Sequence, residues 1–399
     1  MALSAFAQVE SSPYSMYGYG ILSDNASAAQ RQMGGVGYGM NSSRNINVMN
    51  PASYAAIDSL TFLFDMGVDF SSIISKENGV SETRYGGGLE YITMQFPLSN
   101  RFGMSIGLLP YSSIGYSFGT SVADGALAMT GTGGLNQAYV GFSSKIFKGL
   151  SLGINASYLF GSNLSEIYAT TDDGEMSAYE RLMQVRDFHI QLGAQYTVPI
   201  DKKSSLTLGV VYSPKKTLLG HTWSLKARMN SEGTKEKIDT LSDISLRNNY
   251  ELPHTFGVGL AYNFDKRLSA GLDFTFQKWS DVKYTEIELG DFQSFADRWK
   301  IAGGFEYQPT LRGSWLKRIT YRAGLFYNRD YITIDNDNVK DYGFAFGFGI
   351  PTSGGKSIIN LGLEYRHRDA GSKYLSENFF NVMLGFKINE MWFWKNKIR

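Results

Sequence analysis

The stretch LTFLFDMGVDF, residues 60–70, alternates between apolar side chains and small or acidic ones. The apolar positions are Leu60, Phe62, Phe64, Met66, Val68 and Phe70, and the positions between them include Thr61, Asp65, Gly67 and Asp69. A strand sends successive side chains to opposite faces, so this pattern gives one apolar and one polar face. A similar pattern returns about every 25 residues, and strands of this kind predict an all-β membrane protein, a closed transmembrane β-barrel.

The composition excludes several other classes. The chain has 399 residues, of which 43% are hydrophobic, and a mean hydropathy of -0.20. No run approaches the roughly 18 consecutive apolar residues of a membrane helix. The 38 basic and 37 acidic residues nearly cancel, which argues against nucleic acid as a partner. Because cysteine is absent, a disulfide framework and a thiolate metal site are both excluded.

The repeats predict an antiparallel barrel of fourteen strands, an even count that is typical of outer-membrane barrels. The predicted strands begin near residues 60, 84, 101, 135, 150, 183, 204, 250, 268, 296, 317, 341, 357 and 376. Short links alternate with long ones, notably 163–182 and 220–248. Since short turns face the periplasm, we expect both termini to be periplasmic in the outer membrane of a Gram-negative bacterium. Trp279 and Trp299 fall near predicted strand ends, where lipid meets water.

Four segments are predicted along the chain. Residues 1–8 end in Ala5-Phe6-Ala7 and are interpreted as a signal-peptide remnant. Residues 9–56 are rich in Gly, Ser, Asn and Tyr but too apolar for disorder, so we expect an N-terminal hatch packed in the lumen. Residues 57–394 form the barrel, and residues 395–399 are a short C-terminal tail.

A family resemblance follows from the residues before the first strand. Asn50-Pro51-Ala52, preceded by Met33-Gly34-Gly35, resembles the N-terminal signature of the FadL-type outer-membrane transport family. The resemblance covers residues 9–394 and implies a fourteen-stranded barrel with an N-terminal hatch. It also implies passive uptake of hydrophobic compounds, such as fatty acids, that leave sideways through an opening at a kink in the third strand.

The third predicted strand carries Pro110 and, further along, Gly115. Proline cannot donate a ladder hydrogen bond, so a mid-strand proline requires a bulge or an unpaired edge. These two residues are therefore the candidates for a lateral opening, although Pro110 could instead simply bend the strand toward its loop. Candidate lumenal contacts, to the hatch or to a ligand, are Asp65, Asp69, Lys300, Glu306, Arg322, Glu364 and Arg366.

Two functions stay open at this stage. The first is uptake of a hydrophobic small molecule, with outer-membrane lipid around the barrel. The second is a non-transporting scaffold subunit of an outer-membrane secretion or barrel-assembly complex, with other outer-membrane or periplasmic proteins as partners. The strongly charged loop 220–248 offers no apolar groove and argues against the first. We expect no enzyme activity, cofactor or metal, because the four histidines show no metal-ligand spacing.

Overall fold

The structure is a computed structural model that describes residues 12–122, 125–230, 234–285, 295–311, 313–352 and 357–391. The predicted signal remnant and C-terminal tail lie outside the described residues. No helix in the described ranges is long and apolar enough to cross a membrane. One short α-helix, α1, spans Ala28–Arg31, and 3-10 turns span Pro13–Met16, Pro51–Ala56, Trp279–Asp281 and Trp315–Arg318.

Strands dominate the fold and are numbered here in chain order. They are β1 (Ile21–Leu22), β2 (Thr61–Glu77), β3 (Val80–Pro97), β4 (Phe102–Val122), β5 (Gly125–Phe147), β6 (Leu150–Thr171), β7 (Met176–Pro199), β8 (Ser204–Ser213), β9 (Lys216–Thr217), β10 (Gly220–Met229), β11 (Lys235–Ser245), β12 (Glu251–Leu252), β13 (Thr255–Phe264), β14 (Leu268–Gln277), β15 (Arg298–Tyr307), β16 (Thr320–Ile334), β17 (Asp337–Pro351), β18 (Ile358–Asp369) and β19 (Ser376–Met391).

Within the described residues, β2–β8 and β13–β19 form a closed antiparallel barrel of 14 strands. The ring closes where β19 pairs with β2, for example Leu384 with Val68. The predicted strand count and closure are therefore confirmed. Closure removes the exposed sheet edge that a flat sheet would leave inside a bilayer.

The alternation at residues 60–70 has the predicted consequence. Asp65 and Asp69 are buried and point inward, whereas Phe70 on the opposite face is exposed. The same division holds on β16, where Leu325 is exposed and Arg322 is buried. The outward surface is therefore an apolar band, and the lumen carries the charged side chains.

The barrel wall is much taller on one side than on the other. Strands β4–β7 have 21, 23, 22 and 24 residues, whereas β8, β13, β14 and β15 have 10 each. About 9–11 residues suffice for a tilted strand to cross a membrane. The upper parts of β4–β7, together with β10 and β11, therefore rise beyond the apolar band, and we call them the extended wall.

The prediction of long loops at 163–182 and 220–248 was wrong. Strand β6 continues to Thr171 and β7 begins at Met176, while β10 and β11 form a hairpin that pairs with the upper half of β7. Above the membrane the outward face of a strand contacts water instead of lipid. The outward residues therefore need not be apolar, and the sequence need not alternate. Charged residues in these stretches therefore gave the appearance of loops.

The residues before the first barrel strand lie inside the ring. We call residues 12–57 the N-terminal segment. Inward-facing glycines make room for it: a Cβ at Gly324 would overlap the backbone of Met33, and a Cβ at Gly209 would overlap that of Tyr38. Further around the ring, Gly153 lies against Pro51. Small residues on the wall thus let the two backbones approach closely.

Trp279 does not lie in a membrane-interface belt, so that prediction was wrong. It is fully buried and stacks on Tyr331, with ring centroids 4.3 Å apart. Tyr19 of the N-terminal segment and Phe295 complete the group. These four residues and Tyr284 form an aromatic cap over the N-terminal segment. The cap lies at the end of the barrel opposite the short turns. The 3-10 turn after β14 folds inward and carries Trp279 there.

Replacement of Gly304 by alanine should destabilise the barrel. A Cβ at this position would overlap the carbonyl of Met33, and overpacking of this kind costs about 1–3 kcal/mol. The neighbouring Gly303 faces outward, where a Cβ would lie 3.5 Å from the nearest Leu272 atom, so Gly303→Ala is a matched control. Urea unfolding in detergent measures both variants, and equal midpoints would contradict close packing of the N-terminal segment.

Candidate functional site

The Asn50-Pro51-Ala52 motif anchors the N-terminal segment at the short-turn end. The Asn50 side chain is buried, donates to the carbonyls of Tyr38 (2.9 Å) and Ala194 (3.1 Å), and accepts from the Ala52 amide at 3.1 Å. Pro51 begins a 3-10 turn, where its missing N–H costs nothing. The motif thus ties the segment both to itself and to the β7 wall.

Arg31 connects the N-terminal segment to three carboxylates of the wall. It lies 3.3 Å from Asp69 and 3.3 Å from Glu364, and it also pairs with Glu90. These groups come from β2, β18 and β3. The sequence analysis named Asp69 and Glu364 but missed Arg31. The sequence could have indicated Arg31 as a contact to the wall, because Arg31 is the one charged residue between Asp24 and Arg44.

Asp24 makes a second connection, to β15. Its carboxylate lies 2.5 Å from Lys300 and 3.1 Å from Arg298. Burial by itself would raise the pKa of Asp24, but the two cations outweigh it and hold that pKa well below its ordinary value. Lys300 was a predicted lumenal contact, whereas Asp24 was not named as its partner.

The remaining predicted lumenal residues lie as follows. Arg322 donates to Glu306 (2.6 Å), to Gln32 of the N-terminal segment (3.0 Å) and to Asn360 (2.8 Å). Arg366 pairs with Glu364 at 3.0 Å. Asp65 accepts instead from the hydroxyl of Tyr91, which in turn accepts from the amide of Ala28. Each of these residues therefore either contacts the N-terminal segment or contacts a wall residue that does.

Pro110 lies where the wall separates between β3 and β4. The two strands pair only from Ile92–Leu108 to Pro97–Gly103, although both continue well above this level. A bulge follows Pro110, because Pro110 pairs with Asn136 and Ser112 with Leu135, which leaves Tyr111 extra. The predicted bulge and unpaired edge are both present. We call this gap the β3–β4 seam.

Gly115 lies further up β4, and the N-terminal segment contacts it. Its carbonyl accepts from the Ser12 amide at 2.7 Å, and its amide donates to the Ser15 hydroxyl at 3.0 Å. Below it, β1 pairs with Ser112 and Ser113. The β4 edge is therefore covered from the lumen side at this height.

A cavity of about 470 Å³ lies next to the β3–β4 seam. Apolar parts of its lining come from Leu109, Pro110, Phe160 and Phe326, and charged parts include Arg31, Lys300 and Arg366. The Lys300 ammonium lies 4.9 Å from the centre of the Phe326 ring and the Arg366 guanidinium 5.5 Å from it. The cavity therefore combines apolar walls with cations, a combination that suits an apolar or amphipathic molecule.

The described residues contain no group of three or more His, Asp or Glu side chains that could hold a metal ion. The chemistry that the lumen offers is charge pairing, hydrogen bonding and apolar contact.

Comparison with known proteins identifies the family. The sequence model of the family described as BamG matches residues 1–399. The chain belongs to the BamG family. A comparison with curated proteins gave no match.

Solved structures resemble this BamG-family barrel over almost its whole length. The "CymD monoaromatic hydrocarbon channel" has a TM-score of 0.62 at 13% identity, covering 92% of this chain and 98% of that chain. The P. putida toluene transporter TodX has a TM-score of 0.62 at 16% identity, covering 92% and 99%. A Pseudomonas aeruginosa FadL homologue has a TM-score of 0.59 at 12% identity, covering 93% and 99%.

At these identities the likeness shows the fold, and it confirms the resemblance to FadL-type barrels. The BamG-family chain therefore has the fold of outer-membrane hydrocarbon channels.

Replacing Arg31 by glutamine should destabilise the BamG-family barrel by about 3–5 kcal/mol, because it removes the cation that pairs with Asp69 and Glu90, while Glu364 keeps its pair with Arg366. Arg228→Gln is the control, since its pair with Glu175 is exposed on both sides and its loss should change little. The urea midpoint measures both effects, and protease cutting near residue 31 reports release of the segment. Equal midpoints for the two variants would contradict the central role of Arg31.

Proposed function

We propose that this barrel is a fixed, plugged subunit of an outer-membrane protein assembly, of the secretion or barrel-assembly kind, and that the N-terminal segment is a permanent hatch. The observation that carries the proposal is the set of ion pairs between the segment and strands β15, β18, β2 and β3, all of which lie within one half of the ring. Arg31 joins the segment to Asp69 and Glu364, and Asp24 joins it to Lys300.

The energy of these pairs argues against a hatch that moves. Releasing Arg31 from its buried carboxylates would cost about 3–5 kcal/mol, whereas Asp24, whose side chain is 31% exposed, adds less. About 1.4 kcal/mol shifts an equilibrium tenfold, so Arg31 alone disfavours the displaced form by about 10²- to 10⁴-fold. A displaced hatch would therefore be rare unless a ligand supplied that energy through its own contacts.

The extended wall supports the same function from the outside. It places strands of β4–β7 and the β10–β11 hairpin beyond the membrane-crossing length, where lipid cannot contact them. A passive pore gains nothing from this height, whereas a partner protein gains a surface. The full-length match to the BamG family also distinguishes the chain from the hydrocarbon channels, which share only 12–16% of its residues.

A disulfide between hatch and wall tests whether the hatch must move. The Ala28 Cβ lies 2.8 Å from the place that a Cβ at Gly385 would occupy, so an Ala28→Cys, Gly385→Cys pair needs a shift of about 1 Å to reach disulfide geometry. The chain has no other cysteine. We expect the oxidised double variant to support growth and to retain co-purifying proteins as well as the single Ala28→Cys control does.

Two results would contradict the proposal. One is a loss of function on oxidation that a reductant restores, since this would require a moving hatch. The other is native mass spectrometry of the detergent-extracted barrel that finds no protein partner.

A second candidate function is exchange of a hydrophobic compound with the membrane through the β3–β4 seam, as the family resemblance implies. The cavity beside Pro110 favours it, because an acyl or aromatic group would contact Leu109 and Phe160 while an anionic head would lie near Arg31 or Lys300. The neighbours' descriptions as hydrocarbon channel and toluene transporter agree with a ligand of this class.

Binding of a fluorescent long-chain fatty acid tests this candidate. Phe326→Ala removes an apolar side chain from the cavity lining and should weaken binding about tenfold or more, as expected for about 1.5–3 kcal/mol of lost apolar burial. Phe379→Ala is the matched control, because Phe379 also packs under Arg366 but does not line the cavity. Equal binding by both variants and the unaltered protein would place any ligand elsewhere.

A further inference from the structure

The upper part of β3 has one strand edge that no described strand covers. On one side β3 pairs with β2 along its whole length, from Leu63–Gln95 to Glu77–Val80. On the other side it pairs with β4 only at residues 92–97. Residues 80–91 therefore present about 40 Å of strand with backbone N–H and C=O groups along one edge. We call this the β3 edge.

The facing edge of β4 is treated differently. Strand β1 pairs with Ser112 and Ser113, the Ser23 amide donates to the Tyr111 carbonyl at 2.9 Å, and the Ser12 amide donates to the Gly115 carbonyl. The hatch thus supplies the partners that β3 no longer supplies to β4. Across the seam, the described contact is one side-chain bond, from the Arg84 guanidinium to the Ser117 carbonyl at 3.3 Å.

The β3 edge is accessible above the membrane. About ten residues cross the apolar layer, so counting upward from Pro97 places residues 80–86 beyond it. Val80 is 71% exposed and Tyr85 is 82% exposed. Natural sheets protect such edges with proline, charged side chains, bulges or a covering element. Residues 80–91 contain no proline, their charged residues are Glu82, Arg84 and Glu90, and the bulge in the pairing with β2 lies at Glu90, below residues 80–86.

We propose that the β3 edge binds an extended segment of a different polypeptide, which adds a strand to the β2–β3 hairpin. This inference rests on the proposed function and names the docking surface. The pairing with β2 places Tyr85 on the outward face with Phe70, and Glu82 and Arg84 on the opposite face with Ser75 and Ile73. The matching segment alternates, with an aromatic or β-branched residue beside Tyr85 and polar residues beside Glu82 and Arg84.

A second copy of this chain does not fit the edge. Two copies in one membrane have the same up–down direction, so the two-fold axis between them lies along the membrane normal. That axis brings the same residues of both β3 edges to the same height, with N–H facing N–H. A hydrogen-bonded ladder cannot form in that arrangement.

Photo-crosslinking in native outer membranes tests the proposal. A photoreactive phenylalanine derivative replaces Ser81, Thr83 or Tyr85 in turn, and mass spectrometry maps each crosslinked residue. If a strand is docked, links from Ser81 and Tyr85 fall in one peptide of another protein, about four residues apart, with the link from Thr83 between them. The same probe at Leu325, exposed on the fully paired strand β16, is the control and should give no such ladder.

Amide hydrogen exchange supplies the second measurement. Peptides within residues 80–88 should exchange about tenfold more slowly in the native complex than in the isolated barrel, because a docked strand closes their free amides. Links to residues 1–11 of the same chain, links scattered over unrelated peptides, or no links at all would overturn the proposal. If partners co-purify but no ladder forms, this inference fails alone; if none co-purify, the proposed function fails first.

Discussion

This structure depends on ion pairs and hydrogen bonds between the N-terminal segment and the inward faces of the strands. A barrel that turns its apolar face outward must place its charged residues in the lumen, and a buried charge without a partner is costly. Arg31 and Asp24 supply partners for Asp69, Glu364 and Lys300. Without the N-terminal segment, these wall residues would have to pair with water or with one another. The inward glycines would then line an open space.

Contacts between the N-terminal segment and the wall also explain the β3–β4 seam. Where β3 leaves β4, the N-terminal segment contacts the β4 edge through β1, Ser23 and Ser12. Tyr111, Ser112, Ser113 and Gly115 therefore have backbone partners at the interruption of the wall. The aromatic cap covers the N-terminal segment at the end of the barrel opposite the short turns, and Asn50 fixes the segment at the short-turn end. The segment is therefore held at both ends, and the cavity at the β3–β4 seam lies beside it.

Much of the wall could be predicted from the sequence, because a strand that separates lipid from water must alternate residue by residue. That rule located the fourteen strands and the inward direction of Asp65 and Asp69, while the missing N–H of Pro110 indicated the bulge in β4. It failed above the apolar band, where the outward face of the wall contacts water instead of lipid. Charged residues therefore occur on the outward face of β10 and β11, and the two strands were predicted as a loop. Trp279 was assigned to a membrane interface because its sequence neighbours gave no sign that the next turn folds inward.

The sequence by itself determined the barrel, its strand count and which residues face the lumen, since these follow from local alternation between two solvents. Only the tertiary structure decided which residues are partners. Lys300 pairs with Asp24, and Arg31 pairs with carboxylates from three strands. Asp65 accepts a hydrogen bond from Tyr91. These contacts join residues between 26 and 333 positions apart, and the fold of the whole ring brings them together. Local sequence carries no record of which lumenal charge will lie opposite which.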